Sequence, residues 1–191
     1  MAGADHTSGY FFAQQFDFKN VRELGYCGIQ NRRDKDDGKS VVHAVFSSFQ
    51  DGTTTDDSNC HSGADDGPGY DVTYNITVEN TSGTRWKGTA VNTATGEGVH
   101  IGSYTLPPGA GGIRMSQVGF VEYYPWNAGS HECRQLPKTS VTMLAPTSKT
   151  PGAGQGRMDK PYEYGDCVDQ VDFADSAVEN GWRIEVGFPE A

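Results

Sequence analysis

Alternation with a period of two recurs along almost the whole chain, while the three-to-four-residue periodicity of a helix is nearly absent. The clearest stretch is YDVTYNITV. Tyr70, Val72, Tyr74, Ile76 and Val78 fall on one face, and Asp71, Thr73, Asn75 and Thr77 on the other. A segment of this kind packs one face and wets the other when it pairs in an antiparallel sheet. SVVHAVFSSF is different, because Val41 to Phe46 are apolar on both faces, as in a central strand covered on each side; His43 sits inside it. YFFAQQFDF, GYCGIQ, RWKGTAVNT, VHIGSYTL, IRMSQVGFVEYY, SVTMLA and WRIEVGF read as further strands. RRDKDDGKS and NTSGT read as hairpin connections. The pattern predicts an all-β fold, a two-sheet antiparallel β-sandwich of jelly-roll type. The one helical signal is DFADSAVENG, where Asp172 or Asp175 is placed to cap one or two turns that Asn180 and Gly181 end.

The 191 residues fit a single domain spanning 1–191, with no internal repeat and no linker. Residues 146–166, PTSKTPGAGQGRMDKPYEYGD, have no periodicity and enough Gly and Pro to form one long irregular loop. A net charge of -10 repels phosphate backbones and anionic lipid surfaces, so neither nucleic acid nor a membrane surface is expected as a partner. No apolar run reaches the ~18 residues of a membrane helix. MAGADHTSGYFF has neither the basic start nor the apolar core of an export signal.

Cys27, Cys60, Cys133 and Cys167 are widely spaced and form no CxxC pair of the kind that marks zinc or a redox couple. Two disulfides are the expectation, with Cys27 joined to Cys60 and Cys133 to Cys167. That arrangement closes two loops of moderate length, each worth ~3 to 4 kcal/mol in the chain-entropy model. Disulfides imply an oxidising compartment, hence a secreted protein whose signal has been removed.

In chain order, YFFAQQFDF, GYCGIQ, VVHAVFSSF, CHSGADDGPG, WKGTAVNTATGEGVHIGSYTLP and GFVEYYPWN resemble a family of secreted bacterial and fungal domains of unknown function, over residues 10 to about 145. The resemblance implies a concanavalin A-like jelly roll. It implies no activity and carries over no catalytic residue. The acidic turn of that family reads closer to GADGGPG, so Asp66 is a departure here.

The candidate ligand surface is GFVEYYPWN. Tyr123, Tyr124 and Trp126 lie together at a strand end beside Glu122 and Asn127, and Trp86 is a fourth ring of suitable size. Aromatic faces stack on sugar rings while nearby amides and carboxylates bind hydroxyls, so an extracellular polysaccharide or glycan is the expected partner. The competing reading is that strand alternation buries Phe120, Glu122 and Tyr124 on one face and packs Val121 and Tyr123 on the other.

Whether the chain is an enzyme stays open at this level. Glycoside hydrolysis by Glu122 requires a carboxylate partner, and Glu97 falls in a turn. A polysaccharide lyase requires groups that neutralise a uronate and a base beside them; Gln30, His43, His100, Arg114 and Tyr124 are of the right types. Convergence of Glu122, Tyr124, Gln30 and His43 on one groove would mark an enzyme, and scattered burial would mark a binding protein. An exposed apolar patch without a groove would mark a structural component of a secreted assembly.

Asp56, Asp57, Asp65 and Asp66, with Asp51 and Asn59, supply the hard oxygen ligands that calcium selects. The spacing is not that of an EF-hand, since counting from Asp57 the fifth position is His61 and the twelfth Pro68. The same residues also suit local Asx-turns around Gly63, Gly67 and Gly69.

Overall fold

The first four residues of YFFAQQFDF are apolar on both faces, which requires a strand with packing on each side, and this strand is the spine of the molecule. A computed structural model describes residues 6, 9–59, 64, 65, 70–128 and 132–189. The strands are β1 (Tyr10–Phe18), β2 (Leu24–Arg32), β3 (Val41–Ser48), β4 (Ala64–Asp65), β5 (Tyr74–Ser82) and β6 (Arg85–Asn92). They continue as β7 (Gly98–Thr105), β8 (Ile113–Tyr123), β9 (Thr139–Leu144), β10 (Ala174–Val178) and β11 (Gly181–Val186). A 3-10 helix, Tyr124–Ala128, follows β8, and a second covers Cys133–Gln135. No α-helix occurs among the described residues.

The strands form one five-stranded sheet, β4-β3-β2-β1-β8, and two three-stranded sheets, β5-β6-β7 and β10-β11-β9, with every pairing of these strands antiparallel. The fold is an all-β antiparallel sandwich. Alternation along β1 decides how the layers meet. Phe16 and Phe18 join Cys27, Ala44 and Phe46 to pack against Trp86, Ala90, Ile101 and Tyr104 of β5-β6-β7. Tyr10 and Phe12 join Val42 to pack against Val141 and Ile184 of β10-β11-β9. All four β1 residues are even-numbered, so both small sheets lie against the same, inner face of the large sheet. Phe11 and Ala13 point the other way, where they form a smaller cluster with Val45, Tyr26, Phe120 and Tyr124.

Two expectations are corrected. The helical signal near the C-terminus is strand β10, because Ala174–Val178 pair residue for residue with β11 around a turn in which Asn180 takes a left-handed φ of 58°. Asn-Gly after a polar-apolar run is a hairpin signal as much as a helix stop. Cys27 is a free thiol, buried in the inter-sheet core, and that burial pushes its pKa up to about 12. It faces inward with Phe46 and Ala44, where apolar side chains fill the space around it. Cys60 lies outside the described residues.

The Cys133–Cys167 disulfide is present, at a sequence separation of 34. No strand or helix falls between β9 and β10, so residues 146–166 do run as an irregular segment. It is tied down at its far end by the disulfide, by a 3.3 Å ion pair from Lys160 to Asp175, and by the Trp182 indole N–H donating to the Met158 carbonyl at 3.4 Å.

Candidate functional site

The register of the large sheet lines up its polar residues on the outer face. His43 pairs with Gln30, Gln30 with Phe11, and Phe11 with Glu122, so one row crosses four strands: His43, Gln30, Phe11, Glu122. Backbone pairing places Asp65 of β4 beside His43. Just beyond that row Arg32 ends β2, and Tyr124, one residue past β8, donates its N–H to the Gly9 carbonyl at 3.0 Å.

Gly9 is needed there. A Cβ at that position would run into the Pro125 ring and come within 3.2 Å of Tyr124 Cζ. With no side chain in the way, Tyr124 lies back across β1 and Arg32 Nη1 donates to its hydroxyl oxygen at 2.8 Å. The guanidinium carbon also lies 5.7 Å from the centroid of the same ring. Arg32 is fixed through its backbone by Tyr70, whose hydroxyl accepts from the Arg32 N–H at 2.9 Å and lies 3.0 Å from the Arg32 carbonyl.

On the other side of the row, Gly28 and Ala13 are small, and a Cβ on Gly28 would come within 2.6 Å of the Ala13 Cβ. Beside these small residues Tyr26 packs its ring edge-on against Phe11 at 5.1 Å and against Phe120 at 6.3 Å. Burial raises the Tyr26 pKa, a hydrogen bond with Ser47 opposes the rise, and the negative charge of Glu122 adds to it, so the Glu122 carboxylate is felt at the Tyr26 hydroxyl. Glu122 Oε1 accepts from Asn127 Nδ2 at 3.3 Å. Gln30 carries a buried amide oxygen with no hydrogen-bond partner among the described residues, an arrangement that costs about 1 to 3 kcal/mol in a folded protein.

The residues expected at a ligand surface therefore separate. Glu122, Tyr124 and Asn127 meet around the outer face with Gln30 and His43, and Trp126 lies half-buried in the adjoining 3-10 helix. Trp86 does not belong to it: its ring is 8% exposed and packs in the inter-sheet core 4.9 Å from Phe18. The alternation RWKGTAVN buries every second residue from Trp86 onward, which puts that ring on the inner face. Tyr123 is also turned away, packing against Tyr10 at 5.2 Å on the inner side.

Of the further lyase candidates, His100 lies on β7 in a different sheet. Arg114 lies near the start of β8, the end opposite Glu122. Sequence reasoning missed Arg32 and Tyr26. Both follow the Gln30 alternation along β2, and ending the strand at Gln30 hid Arg32 in the presumed turn.

The acidic stretch has another use. Asp56 pairs with Arg85 Nη2 at 2.8 Å, and that hydrogen bond holds its carboxyl below the usual range. Asp57 Oδ2 lies 2.5 Å from His100 Nε2 and accepts from the Ser103 hydroxyl at 2.8 Å. Partial burial pushes the Asp57 carboxyl up, but hydrogen bonds from His100, Ser103 and the Asn59 N–H outweigh it and leave the group below its ordinary value. These carboxylates clasp the segment after β3 onto β6 and β7. Among the described residues no group of three or more His, Cys, Asp or Glu is placed to hold a metal ion. Asp66 and the Asp65 side chain lie outside that description.

No family model and no curated protein matches the chain. Among solved structures it is similar to aspergilloglutamic peptidase from Aspergillus niger, with a TM-score of 0.46 and 12% identity, over 92% of this chain and 98% of that one.

Proposed function

We propose that the chain binds an extracellular polysaccharide or other glycan on the outer face of its five-stranded sheet. The observation that supports this most is the row His43, Gln30, Phe11, Glu122, in which the Gln30 amide, its oxygen without a hydrogen-bond partner among the described residues, and the Glu122 carboxylate stand on either side of the Phe11 ring. Tyr26, Tyr124 and Trp126 supply half-buried aromatic surface around it. Sugars present hydroxyls around an apolar ring face, and this surface offers the complement. Export belongs to the same reading, supported by the Cys133–Cys167 bridge and by the resemblance to secreted domains. No helix among the described residues is long and apolar enough to cross a membrane.

The test is affinity electrophoresis against a panel of soluble polysaccharides. The native chain is expected to be retarded by at least one of them, and Trp126→Ala or Gln30→Ala to weaken retardation by ~1 to 3 kcal/mol, the range for losing a stacked ring or a buried polar contact. Free migration in every gel, or variants retarded as strongly as the native chain, would remove the reading.

A second reading, as a component of a secreted assembly, is favoured by β8. It is the edge of the large sheet, with Met115 85% and Val118 53% exposed. An exposed apolar edge strand is a template for another chain. Light scattering that shows a monomer at all concentrations would count against self-assembly through that edge.

A further inference from the structure

Resting on that glycan-binding reading, we propose that the outer face also cleaves its ligand by β-elimination, with Glu122, Tyr124, Arg32 and Gln30 forming a centre for uronic-acid polysaccharides. Elimination needs donors that neutralise the uronate carboxylate, so that hydrogen on the adjacent carbon becomes acidic. It also needs a base for that hydrogen and an acid for the departing glycosidic oxygen. Each part is present on one surface.

Gln30 and Arg32 are alternate residues of β2 on the same face, about 6.6 Å apart along the strand, so amide and guanidinium donors stand side by side. Glu122 is two strands away across Phe11, about 10 Å off at the usual strand spacing. A sugar ring spanning that distance would lie on the half-buried Tyr26, Phe120 and Tyr124 rings that cover Phe11, with its carboxylate toward Gln30 and Arg32 and its acidic hydrogen toward Glu122. Tyr124 lies one residue past β8, its hydroxyl held by Arg32. Hydrolysis is less well provided for, because backbone pairing sets Asp65 four strands from Glu122, about 19 Å at the usual strand spacing, against the roughly 5 to 9.5 Å that two hydrolytic carboxyls need.

In the reaction Glu122 takes the carbon-bound hydrogen as a proton, and the electron pair it leaves becomes the carbon–carbon double bond. The bond from the next carbon to the glycosidic oxygen breaks, and its pair goes to that oxygen, which receives the Tyr124 proton. Arg32 balances the phenolate. The proton on Glu122 returns to Tyr124 through solvent, so both groups are reset and neither water nor an oxidant is consumed.

The experiment follows ultraviolet absorbance of the unsaturated uronate when the native chain meets polymannuronate, polyguluronate, polygalacturonate and polyglucuronate. Absorbance is expected to rise with at least one. Glu122→Gln and Tyr124→Phe should slow it by ~100-fold or more, the range for a lost general acid or base, with circular dichroism showing that both variants are folded. Retention of any glycan without an absorbing product on any polyuronate would overturn the elimination and leave the binding reading intact. New reducing ends without absorbance would overturn it in favour of hydrolysis. Absence of retention and of product would remove both.

Discussion

Arg32 and Tyr124 belong to segments separated by a whole strand, yet Nη1 of one meets the hydroxyl oxygen of the other at 2.8 Å, and Gly9, just before that strand, leaves the Tyr124 ring its room. The contact joins β2 to the 3-10 helix after β8 and sets how far Tyr124 leans over the outer face.

Gly9→Ala is therefore expected to destabilise the fold by about 1 to 3 kcal/mol, the usual cost of forcing a methyl group into filled space. Gly112→Ala is the control, since nothing lies within 4 Å of its new Cβ. Thermal melting of the two variants checks this, and equal shifts would show that the space above Gly9 is not constrained.

The two tryptophans should behave differently. Trp86→Ala removes a ring that is 8% exposed in the inter-sheet core, and such truncations cost about 3 to 5 kcal/mol. Trp126→Ala removes a half-buried ring from a short helix and is expected to cost much less stability. Guanidinium midpoints measure both, and similar losses would contradict the separation of core from surface.

Burial that pushes the Cys27 pKa up to about 12 leaves almost no thiolate at neutral pH. The native chain is expected to resist alkylation at Cys27 and to be labelled there only in denaturant, as read by peptide mass mapping. Cys27→Ser places a hydroxyl in that apolar site, with an expected cost of about 1 to 3 kcal/mol. Rapid native labelling would place the thiol outside the core.

For Asp57 the folded pKa lies below the unfolded one. Its contribution is therefore complete above the ordinary carboxylate value of about 4 and is lost as pH falls through the lower folded value. The urea midpoint should drop between pH 7 and pH 3, and Asp57→Asn should reduce that drop by removing the titrating partner of His100 and Ser103. An unchanged drop in the variant would assign the acid sensitivity to other carboxylates.

Much of the fold was legible because strand alternation is local. YFFAQQFDF is β1 from end to end, and the Ser82-Gly83 turn falls where NTSGT placed it. What local pattern does not carry is register. Glu122 and Gln30 lie far apart in sequence, and only the pairing through Phe11 puts them in one row. For the same reason Trp86 and Trp126 looked equivalent as sequence, although alternation through Gly88 and Ala90 already marked Trp86 as inward. The ADSAV segment was misread because a capping aspartate and a terminal Asn-Gly pair serve a helix and a hairpin equally well.

β1 supplies Tyr10 and Phe12 to one inner cluster and Phe16 and Phe18 to the other, with Gln14 between them. The two small sheets share that strand as their common support, and Ile29 beside it packs against both clusters. Loss of either half strips β1 of half its inner contacts. Amide exchange along β1 should therefore follow global unfolding, while the outer hairpins β5-β6 and β10-β11 exchange through cheaper local openings. Cooperativity in this chain is carried by a single nine-residue strand.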